Sequence, residues 1–552
     1  YECLLEGWKN NLRNTWWIID YNRQSLDGVV HEGLWSRIEE IFKVFGWRGV
    51  TLRQGVLQCQ AFEEPGGEKL RDWIQNCPNQ LYSALTFQGG AAWRERLLEE
   101  IGDQADKNAL LARRSDAELS ELMNNLGGQC LQSLTDAFDE IEDDQPTVFL
   151  AYTIKGWGTP LAGHKDNHAG LMNMAQMAEF QSGMAIEEGQ EWDPMAGISD
   201  PEKLQNFLDN VAFFEKGTRR YTAPVIESPG PVFLDDKVQS TQAGLGKILD
   251  ALAKSDAEIS NRIVTTSPDV TVSTNIGTWV NRRGLFAREA KSDVFRDQKI
   301  PSTQKWQFSP QGQHIELGIA DLYLFLLLGA AGLSLSLFGE RLIPFGSVYD
   351  PFVARGLDAL NYACYQDSRF IVAGTPSGVT LAPEGGAHQS IGAQLIGMSQ
   401  DGLVSFEPAY LDELSIILDW SFEYLQRDGD KEPDERTWLF DQKGGSVYLR
   451  LTTRQIEQLG VKARDDDEFK QGVIDGGYWL RKPGANAEII LAYQGCVAPE
   501  VIEAAGRIGN DRRDIGVLSI TSADRLNSGW NAARRARAKG HSDATSQIER
   551  LM

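Results

Sequence analysis

The amino-acid sequence predicts an α/β protein built from successive doubly wound domains with mostly parallel sheets. Apolar strands alternate with helices along the chain, which is the pattern of a parallel sheet covered by helices. Glycine-rich loops follow several of these strands, at the edge where such sheets bind ligands. The chain has 552 residues, enough for three or four domains of about 150 residues each.

The first predicted domain covers residues 1–175. Its predicted elements are a strand over 15–20, a helix over 34–45, and strands over 49–54 and 147–153. The last strand runs into a glycine-rich loop over 156–170. Residues 176–240 are rich in Glu, Pro, Gly and Asp and have weak periodicity, so they are predicted to be a linker.

The second predicted domain covers residues 241–455. Its predicted elements are helices over 245–253 and 350–364 and strands over 262–266, 342–349, 370–374 and 445–451. An uncharged run over 322–339 approaches the length of a membrane span, but it contains three glycines and two serines. We therefore expect it to contain a buried core helix. Residues 456–483 are predicted to be a second linker, and residues 484–552 to be the start of a third domain.

Composition excludes several classes of protein. The net charge of −24 argues against general binding to nucleic acids or anionic membranes. Six cysteines are scattered without a CxxC pair, which indicates reduced thiols in a cytoplasmic protein and neither a disulfide framework nor a zinc site. The start of the chain has no secretory-signal pattern. Because it begins with Tyr1 and stops just after a helix-like run, we expect a fragment truncated at both ends.

Two glycine-rich loops carry candidate catalytic residues. One contains Lys155, His164 and His168, and the other contains His388. Loops on a rigid scaffold often carry catalytic groups, and histidine titrates near neutral pH. The alternative is that these histidines are solvated loop residues.

A third candidate is the polar turn over 20–28, which follows the first strand. The side-chain oxygens of Asn22 and Gln24 are of the type that Mg²⁺ prefers. The alternative is an ordinary capped turn that leads into a helix.

Five segments together resemble one family, the thiamine-diphosphate enzymes of the transketolase-like superfamily. The chain is most similar to the homodimeric-type decarboxylating component of pyruvate dehydrogenase, and the resemblance covers nearly the whole chain. Transketolase is also similar in the loop GHKDNH. The five segments are DYNRQSLDG (Asp20–Gly28), TIKGWGTPLAGHKDNHAGLMN (Thr153–Asn173), GQHIELGIADL (Gly312–Leu322), IPFGSVYDPFVARGLDAL (Ile343–Leu360) and GTPSGVTLAPEGGAHQS (Gly374–Ser390).

The resemblance implies two groups of cofactor ligands. Asn22 and Gln24 match family positions that hold Mg²⁺ and, through it, the cofactor diphosphate, while the family's GDG carboxylate is expected before Tyr1. Asp321 matches the carboxylate that hydrogen-bonds the aminopyrimidine ring, where Glu is usual. An Asp side chain is one methylene shorter, about 1.5 Å of reach, so we expect either a backbone that lies closer to the ring or weaker activity. The alternative is that Asp321 only caps the following helix.

Further roles follow from the same resemblance. Phe352 matches the aromatic residue that stacks on the pyrimidine, and Tyr349 lies near it in sequence. His388 matches a histidine that handles protons on the substrate or acceptor. The remaining matches are His168 in the mobile loop, Lys155 ahead of that loop and, with weaker alignment, Asp269 as a substrate-side acid.

The implied reaction is decarboxylation of a 2-oxo acid, most simply pyruvate, with thiamine diphosphate and Mg²⁺ as cofactors. The two-carbon unit then passes reductively to the lipoyl group of an acyltransferase partner. In the family the cofactor lies between two subunits, so a homodimer is expected. Two alternatives stay open: ketol transfer between sugar phosphates, and a non-catalytic relative that acts as a scaffold in a complex. The sequence does not present a clear set of Arg, His and Ser residues of the kind that a sugar phosphate requires.

Overall fold

The computed structural model describes residues 2–26, 28–31, 33–101, 105–211, 221–381, 385–429, 432–459 and 464–552. Contacts divide the chain into two compact units, residues 3–215 and 216–552. Each unit is described by itself below.

The first unit contains a three-stranded parallel sheet. Its strands are β1 (Trp16–Tyr21), β2 (Arg48–Leu52) and β3 (Thr147–Tyr152). Their spatial order is β1-β3-β2, and both outer strands run parallel to β3. The central strand is an almost continuous apolar run, because helices cover both of its faces. Val148, Phe149 and Leu150 are accordingly buried.

Eleven helices surround this sheet or follow it in the described part of the first unit. They are α1 (Glu2–Lys9), α2 (Leu34–Val44), α3 (Val56–Phe62), α4 (Gly67–Asn76), α5 (Asn79–Gln88), α6 (Gly90–Glu100), α7 (Ala105–Ala112), α8 (Asp116–Asn124), α9 (Leu131–Asp139), α10 (Met174–Gly183) and α11 (Pro201–Asp209). The two tryptophans of β1 point to opposite faces, as alternation along a strand requires. Trp16 packs on Phe138 of α9, and Trp17 packs on Phe42 of α2.

The second unit is organised around an eight-stranded sheet in which every pair is parallel. The strands of the unit are β4 (Val238–Gln239), β5 (Ile263–Ser267), β6 (Leu285–Phe286), β7 (Phe308–Ser309), β8 (His314–Glu316), β9 (Ile343–Tyr349), β10 (Ile371–Thr375), β11 (Leu403–Phe406), β12 (Ser446–Arg450), β13 (Ile456–Glu457), β14 (Gly477–Arg481), β15 (Ile490–Gln494) and β16 (Gly516–Ile520). The spatial order of the large sheet is β11-β12-β10-β9-β5-β8-β6-β7.

Helices cover both faces of this sheet. The helices of the unit are α12 (Thr241–Lys254), α13 (Glu258–Arg262), α14 (Gly277–Arg283), α15 (Val294–Asp297), α16 (Asp321–Gly332), α17 (Ser334–Phe338), α18 (Leu357–Tyr365), α19 (Gln394–Ser399), α20 (Leu411–Tyr424), α21 (Asp467–Asp475), α22 (Ala498–Ile508), α23 (Ala523–Ala538) and α24 (Gln547–Leu551). Phe345 belongs to a core that also contains residues of α12 and α20. Val348, on the opposite face of β9, packs with Leu324 and Leu328 of α16. The sheet is therefore doubly wound.

Smaller sheets complete the second unit. Strands β4 and β13 form an antiparallel pair, and β16 lies between antiparallel β14 and parallel β15. The predicted fold class, α/β with mostly parallel sheets, is confirmed. The predicted linkers contain regular structure, because α10 and α11 lie largely within 176–240 and β14 lies within 456–483. The domain boundaries themselves stay predictions.

The uncharged run over 322–339 does not form one continuous helix. It divides between α16 and α17, which meet at Leu333, and Leu324, Phe325 and Leu328 are fully buried. Within the described ranges, no helix combines the length and the apolar character needed to cross a membrane. All six cysteines are free thiols.

Candidate active-site clusters

In the first unit, a polar turn and the glycine-rich loop meet at the carboxyl ends of β1 and β3. The two strands are parallel neighbours, so the segments that leave them start side by side. Gln24 Nε2 donates to the carbonyl oxygen of Gly163 at 2.9 Å, and Lys155 Nζ donates to that of Ser25 at 2.7 Å. The structure therefore brings together Asn22, Gln24 and Lys155, three residues selected from the sequence.

The oxygen atoms of this turn suit a hard cation. Asn22 Oδ1 accepts from the backbone N–H of Gln24 at 3.0 Å, which orders the turn. Gln24 Oε1 is buried and has no hydrogen-bond partner in the described part of the chain, an arrangement that usually costs free energy. The donor set of Asn22 and Gln24 fits Mg²⁺ chemically. In the described ranges, no group of three or more His, Cys, Asp or Glu side chains could hold a metal ion.

Arg23 is a residue of this turn that the sequence did not single out. It is 5% exposed and has a φ of 64°, a backbone conformation that is uncommon for a non-glycine residue. Its guanidinium carbon lies 4.2 Å from the ring centroid of Tyr82, 5.3 Å from that of Tyr152 and 5.9 Å from that of Tyr21. These cation–π contacts anchor the turn between Asn22 and Gln24.

The two histidines of the glycine-rich loop differ in their surroundings. His164 is half-buried, packs edge-on against Phe87 at 4.6 Å between ring centroids, and accepts from the backbone N–H of Asp166 at 3.1 Å. His168 is exposed. The loop holds His164 in place, whereas His168 faces solvent in this structure.

In the second unit, three predicted residues form one aromatic cluster. Tyr349 ends β9, Phe352 lies in the 3₁₀ helix that follows, and His388 lies in the loop after β10. The His388 ring centroid is 5.0 Å from that of Tyr349 and 5.4 Å from that of Phe352. The two other rings are 5.9 Å apart and meet edge to face. Because β9 and β10 are parallel neighbours, their carboxyl ends bring these residues together.

Asp321 is joined to this cluster through Arg355. Arg355 Nη1 donates to Asp321 Oδ2 at 2.9 Å, and its guanidinium carbon lies 3.7 Å from the centroid of the Phe352 ring. The Asp321 side chain is 10% exposed and that of Arg355 is 55% exposed. Asp321 is the first residue of α16 and Ala320 is its N-cap, so the capping alternative is wrong.

Asp269 lies beside a half-buried carboxylate, that of Glu316, which the sequence did not identify as important. Its own side chain is exposed and its φ is 64°. Its backbone N–H donates to Glu316 Oε1 at 2.8 Å, and Thr271 Oγ1 donates to Glu316 Oε2 at 2.6 Å. Burial acts to raise the pKa of Glu316, but these bonds and the adjacent ring of His314 outweigh it and lower the pKa. Glu316 thus stays ionised and holds Asp269.

A second missed group lies beneath the aromatic cluster. Asp350 and Arg450 are almost fully buried, and Arg450 Nε donates to Asp350 Oδ2 at 3.2 Å. Arg450 Nη1 also donates to Glu407. Burial raises the pKa of Glu407. Burial opposes the charge of Arg450, but the two carboxylates outweigh it and raise the pKa of the guanidinium. The one signal in the sequence was an arginine at the end of the mostly apolar strand β12.

Comparison with known proteins gives one family-model match. Residues 235–432 match the middle domain of the pyruvate dehydrogenase E1 component. This segment contains Asp321, Tyr349, Phe352 and His388. The match therefore includes the whole second-unit cluster.

Similar curated proteins cover most of the chain. The pyruvate dehydrogenase E1 component of Cupriavidus necator is 23% identical over 538 residues, which is 93% of this chain and 57% of that protein. The one from Escherichia coli K12 is 23% identical over 545 residues, 94% and 58% respectively, and the one from Pseudomonas aeruginosa is 24% identical over 529 residues, 91% and 57%. The chain thus spans less than three fifths of the length of these relatives.

Similar solved structures share the fold. Transketolase from Campylobacter jejuni superposes with a TM-score of 0.53 at 15% identity and covers 95% of this chain and 64% of its own. Transketolase from Pichia stipitis, in complex with sedoheptulose 7-phosphate, gives 0.52 at 13% identity with the same coverage. Residues 235–432 thus match the middle domain of the pyruvate dehydrogenase E1 component, most of the chain is similar to such components, and the fold is shared with transketolases.

Proposed function

We propose that this chain contains the diphosphate-side and pyrimidine-side residues of an enzyme that decarboxylates a 2-oxo acid, with pyruvate as the first substrate to test. The observation that carries the proposal is the second-unit cluster. Tyr349, Phe352 and His388 contact one another, and Asp321 reaches the same cluster through Arg355. An aromatic platform beside a carboxylate and a titratable imidazole suits binding and protonation of a heteroaromatic cofactor.

Thiamine diphosphate and Mg²⁺ are the cofactors of the proposal. Asn22 and Gln24 would hold the metal and, with it, the diphosphate, and the unpartnered Gln24 Oε1 supports this role. Phe352 and Tyr349 would pack against the pyrimidine ring, and Asp321 would accept a hydrogen bond from it. When bound, the cofactor supplies the electron sink that loss of carbon dioxide requires.

The remaining residues are proposed to handle charge and protons. Lys155 would attract the carboxylate of the substrate, since its ammonium group lies at the carboxyl edge of the first-unit sheet. His388 would hold or release a proton next to the aromatic rings of Tyr349 and Phe352. His168 and Asp269 are exposed side chains at the same sheet edges of their own units, and we propose them as substrate-side groups.

The proposed partners follow from the relatives, which are named pyruvate dehydrogenase E1 components. We propose a homodimer and a lipoyl-bearing acyltransferase that accepts the two-carbon unit, its disulfide being reduced as the acyl thioester forms. We also propose a cytoplasmic location, the compartment in which unpaired thiols such as these six stay reduced.

The test uses the full chain with Mg²⁺, thiamine diphosphate and pyruvate, and follows carbon dioxide release with an oxidising dye as acceptor. Asp321→Asn should lower kcat/KM by about 10²–10⁴-fold, the usual contribution of a positioned acid–base group. Asp321→Glu, which restores the reach of the usual residue, should raise it. The exposed Asp401→Asn is the matched control and should leave the rate unchanged.

The same assay separates the alternatives. Ketol transfer between pentose phosphates without decarboxylation of pyruvate would replace the proposal with transketolase activity. If neither the wild type nor Asp321→Glu binds thiamine diphosphate or consumes any 2-oxo acid, the chain is a non-catalytic relative.

A further inference from the structure

The buried pair of Asp350 and Arg450 lies directly beneath the second-unit cluster and contacts both segments that form it. Asp350 immediately follows Tyr349 and precedes Phe352 by two residues. Its carboxylate accepts from Arg450 Nε at 3.2 Å and from the hydroxyl groups of Ser390 and Tyr448. One buried carboxylate therefore binds three donors from other segments.

The loop that carries His388 is held by the same pair. Ser390, two residues after His388, donates its hydroxyl to Asp350 and accepts from Arg450 Nη2 at 3.4 Å through its backbone oxygen. Arg450 Nη1 also donates to Gln394 Oε1 at 3.0 Å, at the start of α19. The arginine thus binds the loop at two places, one on each side of the turn into α19.

The network joins the carboxyl ends of three of the four consecutive strands β11-β12-β10-β9. Asp350 follows β9, Glu407 follows β11, and Arg450 ends β12. All three side chains are 9% exposed or less. Buried charges bind one another with little competition from water, so their geometry is narrowly defined.

We propose that Asp350, Ser390 and Arg450 are positioning residues that hold His388 against Tyr349 and Phe352. The backbone of Asp350 fixes the two aromatic rings, and its carboxylate, through Ser390, fixes the histidine loop. The role of the positioned cluster in catalysis rests on the proposed function. The positioning itself is a property of the second unit and is testable without cofactor or substrate.

The test is NMR of the full chain with ¹³C-labelled histidine. The His388 signal is assigned by its loss in His388→Gln, and the nearby rings of Tyr349 and Phe352 should displace it by their ring currents. Ser390→Ala should move this signal toward the position of a free histidine. Ser390→Thr keeps a hydroxyl and should restore it.

Control variants separate positioning from general stability. Ser399→Ala removes an exposed serine hydroxyl on α19 that, within the described residues, donates only to the backbone oxygen of Ile396. It should leave the His388 signal in place. Asp350→Asn should shift the signal as Ser390→Ala does, and the double variant should shift it no further. An unmoved His388 signal in folded Ser390→Ala and Asp350→Asn overturns the proposal.

Calorimetry with Mg²⁺ and thiamine diphosphate on the same samples tests the proposed function separately. If the wild type binds no cofactor while Ser390→Ala moves His388, the proposed function fails and the positioning stands. If the wild type binds cofactor and Ser390→Ala leaves both the binding and the His388 signal unchanged, the positioning fails and the proposed function stands.

Discussion

Arg355 covers one face of the Phe352 ring, and we propose that the cofactor would pack on this face. Its guanidinium carbon lies 3.7 Å from the Phe352 centroid while the same group pairs with Asp321 at 2.9 Å. A pyrimidine that stacks on Phe352 and hydrogen-bonds to Asp321 must displace it. We therefore predict that Arg355→Ala binds Mg²⁺–thiamine diphosphate more tightly than the wild type.

The size of this effect follows from the two contacts that binding would break. A cation–π contact at an exposed site contributes about 0.5–1 kcal/mol, and a solvent-exposed ion pair contributes about 0.2–1 kcal/mol. Because Arg355 is 55% exposed, the smallest expected gain in binding free energy is the sum of the lower ends of these two ranges. Loss of both contacts, about 0.7–2 kcal/mol, corresponds to about 3- to 30-fold in Kd.

The assay is isothermal titration of the full chain with thiamine diphosphate at saturating Mg²⁺. Arg507→Ala is the matched control, because Arg507 is an exposed arginine that pairs with Glu503 one helical turn away on α22. It should leave Kd unchanged. Weaker binding by Arg355→Ala would refute the reasoning, because it would mean that Arg355 itself helps to bind the cofactor.

Two further predictions concern charged groups of the second unit that are half-buried or buried. Glu316→Gln should lower the Tm at pH 7. Because the pKa of Glu316 is below its usual value, the difference in Tm between variant and wild type should shrink as the pH falls below about 4. Thermal denaturation across this range checks the prediction, and a difference in Tm that stays constant with pH would contradict it. Arg450→Met should cost about 3–5 kcal/mol, because it leaves two buried carboxylates unpaired. Adding Glu407→Gln should recover part of that loss, as read from the urea dependence of thiol labelling at buried Cys364.

Long apolar strands were predictable from the sequence, and short edge strands were not. The strand predicted over 147–153 is β3, and the one predicted over 342–349 is β9, each within one residue at either end. Strands β6 and β7 contain two residues each. Two residues show no alternation, so these strands are defined only by pairing, of β6 with β8 and of β7 with β6.

The residues of the candidate site were likewise only partly predictable from the sequence. His388 was identified because it lies in a glycine-rich loop after an apolar strand, where parallel sheets bind ligands. Tyr349 was identified only through the family resemblance, as a neighbour of Phe352. Arg355 and Arg23 were not identified from the sequence, because a single arginine in a turn is most often a solvated residue. Their roles depend on ring faces supplied by Phe352 and Tyr82, and Tyr82 is distant in sequence from Arg23.

The buried network of Asp350, Arg450 and Glu407 is the part of the second unit that stability alone explains least. Replacing a buried ion network with apolar residues of similar volume is often neutral or stabilising. A fold selected only for stability would therefore gain little from three buried charges at the ends of β9, β11 and β12. What these charges do supply is a fixed geometry, since Asp350 binds the turn of Phe352 and the loop of His388 at once. Their position beneath the cluster is consistent with a requirement for precise placement of its rings.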